Sequence, residues 1–168
     1  QVLREVKRRA QQSVDLYAVS TVQEEVGLRG GTTSVYGVKP DIGIAVEVGF
    51  ASDYPDADHK LAGEIRLGKG PVLARGPNVN PVLFELLTAT AQEEQIPFQV
   101  MGIPRASGTD ANVMQLARGG VATALISVPL RYMHTPVEVL DWNDLDATVR
   151  LLAALCGRIN DQHCFIPE

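Results

Sequence analysis

Residues 41–50, DIGIAVEVGF, decide the fold that this sequence predicts. The stretch is short and almost continuously apolar, and the Asp- and Gly-rich residues 51–70 follow it, a pattern typical of a buried β-strand. Strands of this kind lie in sheets whose two faces are both covered by helices. Only Glu47 does not fit, because a carboxylate buried without a partner carries a large desolvation cost.

Other apolar stretches predict the rest of the sheet. Residues 14–22 (VDLYAVSTV) and 121–128 (VATALISV) read as buried strands, and residues 71–74 and 97–101 as shorter ones. Amphipathic or capped stretches predict five helices. The first covers residues 2–9, and a short second one runs through Val35 and Tyr36 and ends before Pro40. The others run from Asn80-Pro81 to about residue 94, from Thr109 or Asp110 to residue 119, and onward from about Asn143. Residues 51–70 are expected to form a loop with one hairpin, and Pro129 and Pro136 to end the last ladder.

This alternation of strands and helices predicts the fold class. We expect an α/β fold, with a mixed, mostly parallel sheet and helices on both faces. Neither a linker nor a composition shift divides residues 1–168, so the sequence predicts a single domain.

Composition and charge exclude several classes of protein. The 168 residues include 15 basic and 20 acidic side chains, a net charge of −5, and 45% are hydrophobic. The excess of acid argues against a nucleic-acid or anionic-membrane partner. The longest apolar stretch is about half of the roughly 20 residues that span a bilayer. No secretion signal is visible and the two cysteines form no framework, so a cytoplasmic location is expected. Because the chain opens in helical pattern at Gln1, either a leader has been removed or the sequence is part of something longer.

Ionisable residues gather where three predicted strands end. Glu24 and Glu25 follow residues 14–22, Glu47 lies within residues 41–50, and His134 follows residues 121–128. The carboxyl ends of strands in an open α/β sheet meet at one edge, and carboxylates with imidazole there can form a hydrolytic metal site. Glu24 and Glu25 can serve one site only if the strand has ended before them, since neighbours on a strand face opposite ways.

Each of these residues also has an ordinary structural interpretation. A Glu-Glu pair at a strand end is commonly solvated surface. Glu47 is equally consistent with a buried salt bridge to Arg or Lys, and His134 with a hydrogen-bonded loop histidine. Other catalytic patterns are absent from the sequence: it has no G-x-S-x-G elbow and no P-loop, and no helix follows the glycines of LGKG, residues 67–70.

Several longer motifs carry a specific resemblance. They occur in order at residues 22–30 (VQEEVGLRG), 39–48 (KPDIGIAVEV), 67–71 (LGKGP), 75–81 (RGPNVNP), 108–111 (GTDA) and 131–138 (RYMHTPVE). Through them nearly the whole chain resembles the tetrahedral aminopeptidases, a family of dinuclear metallo-aminopeptidases.

The resemblance implies roles for individual residues. Glu24 matches the general base, and Glu25 and His134 match metal ligands. Glu47 stands where the family usually has an aspartate ligand. Residues Gly108, Thr109 and Asp110 match a loop close to the family's substrate pocket, although capping of a helix explains that loop equally well.

The resemblance also implies an activity and an assembly. The expected reaction is removal of N-terminal residues from peptides by two divalent ions, zinc or cobalt, in a homo-oligomer of twelve subunits. By ligand chemistry alone, carboxylates and imidazole without thiolate also suit manganese. Family members are about twice as long, and a histidine ligand, the bridging aspartate and the dimerisation domain lie in their preceding half. An incomplete site is therefore expected here. The alternatives are a non-catalytic oligomeric assembly module and a hydrolase of another amide, such as a deacylase.

Overall fold

The computed structural model of the chain describes residues 1–9, 13–55, 57, 59 and 63–167. Within these residues the sheet has five strands in the order β1-β4-β2-β3, with β5 also pairing with β4. The strands are β1 (Ile42–Phe50), β2 (Val72–Arg75), β3 (Gln99–Gly102), β4 (Ala122–Arg131) and β5 (Val139–Leu140). The β1–β4 and β2–β3 pairs are parallel, whereas β2 and β5 run antiparallel to β4. The predicted mixed, mostly parallel α/β sheet is confirmed.

Five α-helices flank this sheet in the described part of the chain. They are α1 (Val2–Arg9), α2 (Arg29–Val38), α3 (Pro81–Glu93), α4 (Asp110–Gln115) and α5 (Trp142–Arg158), and a 3₁₀ turn covers Glu24–Val26. None of the described helices is both long enough and apolar enough to cross a membrane.

Side chains that alternate between the two faces of the sheet form two apolar layers. On one face, Ile126 of β4 packs with Leu83 of α3 and Leu151 of α5. On the other face, the preceding residue of β4, Leu125, packs with Ala111 of α4. The helices therefore cover both faces, because successive side chains of β4 point to opposite sides.

Local signals predicted most helix starts correctly. The side chain of Asn80 accepts a hydrogen bond from the Leu83 amide at 3.0 Å, and Pro81 is the first residue of α3. Asp141 caps α5 in the same way, accepting from the Asn143 amide at 2.8 Å. Helix α4 begins at Asp110 as expected but ends at Gln115, earlier than predicted. The loop predicted over residues 51–70 lies partly outside the described residues, and residues 63–70 form neither helix nor strand.

The buried strand predicted over residues 14–22 is wrong. These residues belong to no β-ladder, and the side chains of Tyr17, Val19 and Val22 are exposed. A strand needs a neighbour for its backbone hydrogen bonds, and no described strand pairs with this segment. The prediction for residues 41–50 is right in type, but the second half of β1 exposes Val46 and Val48.

The expectation that Pro129 ends the last ladder is also wrong, since β4 continues to Arg131. The amide of Ala122 donates to Asp41, and the carbonyl of Leu130 accepts from Ala51, so even-numbered residues of β4 bond to β1. Pro129 therefore faces the opposite side, where β2 pairs at residues 126–127 and β5 at residues 130–131. Between those two pairings no N–H donor is needed.

Candidate metal centre

Glu24 and Glu25 sit on a turn that has left the extended conformation. Gln23 adopts a left-handed conformation with φ 56°, and a 3₁₀ turn starts at Glu24. The strand-like alternation has therefore ended before the pair. Glu24 is partly buried, whereas Glu25 is exposed.

His134 lies on the loop that follows β4 and reaches Glu25 directly. Its Nε2 atom is 3.1 Å from Oε1 of Glu25. The backbone of His134 is left-handed, with φ 65°, and its N–H donates to the Glu138 carboxylate at 2.8 Å. The ring also meets the edge of Phe50, at the end of β1, with 6.3 Å between ring centroids. His134 is therefore a hydrogen-bonded loop histidine, which was one of the two interpretations of the sequence. Its partner, Glu25, is itself a candidate metal ligand.

Glu47 points to the opposite face of β1 from the exposed Val46 and Val48. Its carboxylate accepts a hydrogen bond from the backbone amide of Asp110. Among the described residues no salt bridge to Glu47 forms, so the alternative of a buried ion pair is not realised there. Burial, together with the negative charges of Glu24 and Asp110, raises the pKa of Glu47 to about 7.

Asp110 is the most buried carboxylate of this group. Its side chain is 6% exposed, and its Oδ1 atom has no hydrogen-bond partner in the described structure. The carboxylate packs so closely on Gly31 of α2 that a methyl group there would collide with it. Burial and the charges of Glu25 and Asp110 raise the pKa of Glu24, against an opposing effect of His134. Three carboxylates therefore share one poorly solvated space.

The 108–110 loop borders the same space. Thr109 holds the N-cap position of α4, but its side chain makes no capping hydrogen bond. Its hydroxyl instead lies 3.0 Å from the hydroxyl of Ser107. Space beside Gly108 is open, since a methyl group added there would meet no described atom within 4 Å.

The donor set is chemically suited to a divalent cation but only partly assembled. Carboxylate oxygen and imidazole nitrogen are ordinary ligands of zinc and related ions. The structure brings Glu25 and His134 together, yet no group of three or more potential ligands in the described residues has a geometry that could hold a metal. Glu47 lies near Glu24 and Asp110 and is not bonded to the Glu25–His134 pair.

Sequence reasoning missed several residues that contact the candidate site residues or lie next to them in the chain. Arg131, at the end of β4, donates two hydrogen bonds to Asp53, at 2.8 and 2.7 Å. Gly31 and Glu138 were not singled out either. A helix that carries adjacent glycines, and a carboxylate four residues after His134, were the available signals.

Comparison with known proteins identifies the family of this chain. The family model for M42 glutamyl aminopeptidase matches residues 1–151. The lysyl aminopeptidase of Pyrococcus furiosus is 49% identical over 141 residues, which are 84% of this chain and 40% of that protein. The chain therefore spans less than half the length of this relative.

Solved structures agree in fold. The TET aminopeptidase of a marine-sediment Thaumarchaeota archaeon superposes with a TM-score of 0.88 at 32% identity, over 96% of this chain and 45% of that one. The TET1 peptidase of Pyrococcus horikoshii, which can assemble into a tetrahedron or a large octahedral shell, superposes with a TM-score of 0.67 at 31% identity, over 83% and 40%.

Proposed function

Because the chain belongs to the M42 glutamyl aminopeptidase family, we propose that it carries part of the active site of a metal-dependent aminopeptidase, which hydrolyses N-terminal residues from peptides. The observation that carries this proposal is the 3.1 Å approach of His134 to Glu25, next to the partly buried Glu24. Nitrogen and oxygen donors thus converge beside a carboxylate that can accept a proton.

Glu25 and His134 are the residues that would hold a divalent cation, with Glu47 as a third ligand. We propose zinc or cobalt, since oxygen and nitrogen donors without thiolate suit both. When bound, the ion polarises the scissile carbonyl as a Lewis acid.

Glu24 is proposed as the general base. Its raised pKa, caused mainly by burial, brings its proton affinity closer to neutral pH. The carboxylate takes a proton from the attacking water while the new C–O bond forms. It then gives that proton to the amine nitrogen as the peptide C–N bond breaks.

Residues Gly108, Thr109 and Asp110 are proposed to border the substrate. The buried Oδ1 atom of Asp110 has no partner within the described residues. A cationic N-terminal ammonium would satisfy it, because a charged donor compensates a desolvated carboxylate. The open space beside Gly108 leaves room for the peptide chain.

Two further properties complete the proposal. Homo-oligomeric assembly, which the Pyrococcus horikoshii relative shows, is proposed for this protein as well. A cytoplasmic location is supported by the cysteines, since Cys156 and Cys164 are both unpaired and free thiols suit a reducing compartment.

Replacing Glu24 by glutamine tests the proposal. The chain is loaded with zinc or cobalt, bound metal is measured by elemental analysis, and amino-acid release from a short unblocked peptide is followed. Glu24→Gln should lower turnover by about a hundredfold or more with unchanged metal content, while the exposed Glu64→Gln control should leave both unchanged. If the unsubstituted chain holds less than one metal and releases nothing, a non-catalytic assembly module takes the place of the enzyme.

A further inference from the structure

The loop between β4 and β5 carries His134, and the sheet holds both of its ends. Arg131 of β4 pairs with Val139 of β5, so the loop covers residues 132–138. All seven loop residues are at least partly exposed, so the core does little to fix them. An exposed loop keeps one conformation only if bonds within it offset the conformational entropy that is lost. The bonds of this loop therefore decide where the imidazole of His134 lies.

Hydrogen bonds within the loop connect its tip to its base. At the tip, the amide and the hydroxyl of Thr135 both donate to the carbonyl of Tyr132, at 3.1 and 2.6 Å. The amide of Val137 donates to the Thr135 hydroxyl at 3.3 Å. The amide of His134 donates to Oε1 of Glu138 at 2.8 Å. Of these bonds, the one from His134 reaches the residue that directly precedes β5, and it therefore ties the tip of the loop to the sheet.

The backbone of His134 has a conformation that such a bond must hold. Its φ of 65° is left-handed, which is disfavoured for a residue with a Cβ atom. The direction of a side chain follows from the backbone that carries it. Here that direction brings Nε2 of His134 to 3.1 Å from Oε1 of Glu25 and the ring to the edge of Phe50. A change of φ at His134 would move the imidazole away from both contacts.

We propose that Glu138 is a positioning residue, whose carboxylate holds the backbone of His134 in the conformation that directs the imidazole toward Glu25. A carboxylate suits this task, because an N–H bond to an ionised acceptor is stronger than one to a neutral acceptor. The consequence for cation binding rests on the proposed function. The placing of His134 does not, since it is a property of the chain alone.

Two substitutions of Glu138 test this role in the chain without added metal. Glu138→Gln keeps the length of the side chain and an oxygen that can accept the bond, whereas Glu138→Ala removes the acceptor. Proton NMR detects the approach of the His134 ring to the Phe50 ring as a nuclear Overhauser effect. We expect this signal in the unsubstituted chain and in Glu138→Gln, and its loss in Glu138→Ala. An unchanged signal in Glu138→Ala would overturn the proposal.

Zinc titration of the same proteins by calorimetry separates positioning from direct ligation. Glu138→Ala should weaken zinc binding by about tenfold, the lower end of the effect of losing a residue that orients a ligand. Glu138→Gln should bind zinc as the unsubstituted chain does, because its amide oxygen still accepts the N–H of His134. Equal losses in the two variants would make Glu138 itself a ligand of the cation and would overturn the positioning role.

Asp141→Ala is the matched control. Asp141 lies three residues after Glu138, and its carboxylate also accepts a backbone amide at 2.8 Å, from Asn143 at the start of α5. Its removal should lower stability but leave the ring contact and the zinc affinity unchanged. If Asp141→Ala lowers zinc affinity as much as Glu138→Ala does, general destabilisation explains both and the proposal fails. Absence of zinc binding by the unsubstituted chain would count against the proposed function alone, because the ring contact still decides the role of Glu138.

Discussion

Nε2 of His134 lies 3.1 Å from Oε1 of Glu25, although 109 residues separate the two in the sequence. Both side chains are exposed, at 61% and 75%, and an exposed pair of this kind adds little to stability. The contact nevertheless depends on two left-handed, non-glycine residues, Gln23 and His134.

The Glu25–His134 pair predicts where a cation binds. His134→Ala should weaken zinc or cobalt binding at least roughly tenfold, a loss of about 1.4 kcal/mol, because it removes a nitrogen donor and leaves Glu25 alone. The matched variant is His163→Ala, whose imidazole contacts Asn160 and stacks on Phe165. Isothermal titration of the metal-free protein measures both, and equal affinities would exclude His134 as a ligand.

Glu47 predicts a pH dependence of stability. Its pKa is raised to about 7 in the folded chain, so the folded state holds the proton more tightly than the unfolded state does. The stability it contributes is complete below the ordinary glutamate pKa of 4.5 and is lost as the pH rises through about 7. In metal-free buffer, the unfolding free energy of the unsubstituted chain should fall over this range relative to Glu47→Gln. If urea unfolding gives parallel pH profiles for the two proteins, the raised pKa of Glu47 is not the cause of the pH dependence.

Asp110 packs on Gly31 of helix α2, whereas Gly37 of the same helix lies in open space. Alanine substitutions at these two glycines should therefore change stability in opposite directions. Gly31→Ala should destabilise the chain by about 1–3 kcal/mol, because the new methyl group meets the Asp110 carboxylate. Gly37→Ala, in open space on the same helix α2, should stabilise it by about 0.5–1 kcal/mol. Thermal unfolding reports both signs, and a neutral Gly31→Ala would show that α2 and α4 separate at little cost.

The elements predicted correctly carry their signals within a few residues. Helix α3 begins where Asn80 and Pro81 stand together, as predicted. Helix α5 begins at Trp142, one residue before its predicted start, although the cap at Asp141 was not predicted. The strand predicted over residues 14–22 failed because pairing depends on a neighbour and not on the apolar run itself. The prediction that Pro129 ends the ladder failed for a related reason. Only the positions at which β2 and β5 pair with β4 show that no partner needs an N–H group from Pro129.

The same limit applies to the candidate site. Its residues could be named from the sequence, because Glu24, Glu25 and His134 lie in motifs that resemble a known family and Glu47 interrupts an apolar strand. Their partners could not be named. The bond from the Asp110 amide to Glu47 and the bond between Arg131 and Asp53 join residues more than 60 positions apart.

Asp144 predicts the stability of the glycine-rich loop at residues 67–70. This fully buried carboxylate accepts from the amides of Gly68 and Gly70, at 2.7 and 2.6 Å, so those amides are already used within the fold. Asp144→Asn should cost about 1–3 kcal/mol, because the amide group has one acceptor oxygen and leaves one buried N–H without a partner. Asp146→Asn, exposed on the same helix, should cost little. Chemical unfolding measures the free energy of unfolding of both variants. Equal values would show that the bonds from Gly68 and Gly70 to Asp144 do not stabilise the loop.

The Asp53–Arg131 ion pair predicts a link between stability and the position of His134. Arg131 and the Leu67 amide hold the pKa of Asp53 below its ordinary value, so the stability from this pair is present at neutral pH and is lost as the pH falls through the lowered pKa. Asp53→Asn should cost about 1–3 kcal/mol at pH 7 and progressively less in acid.

Disrupting this pair should also weaken cation binding, because Arg131 lies three residues before His134 and fixes the start of its loop to the segment after β1. The exposed Glu64–Arg66 pair is the matched control, and Glu64→Gln should leave both stability and cation affinity essentially unchanged, because solvent screens an exposed ion pair. Unfolding at several pH values and metal titration separate the two effects. A loss of stability in Asp53→Asn with unchanged affinity would restrict Asp53 to a purely structural role.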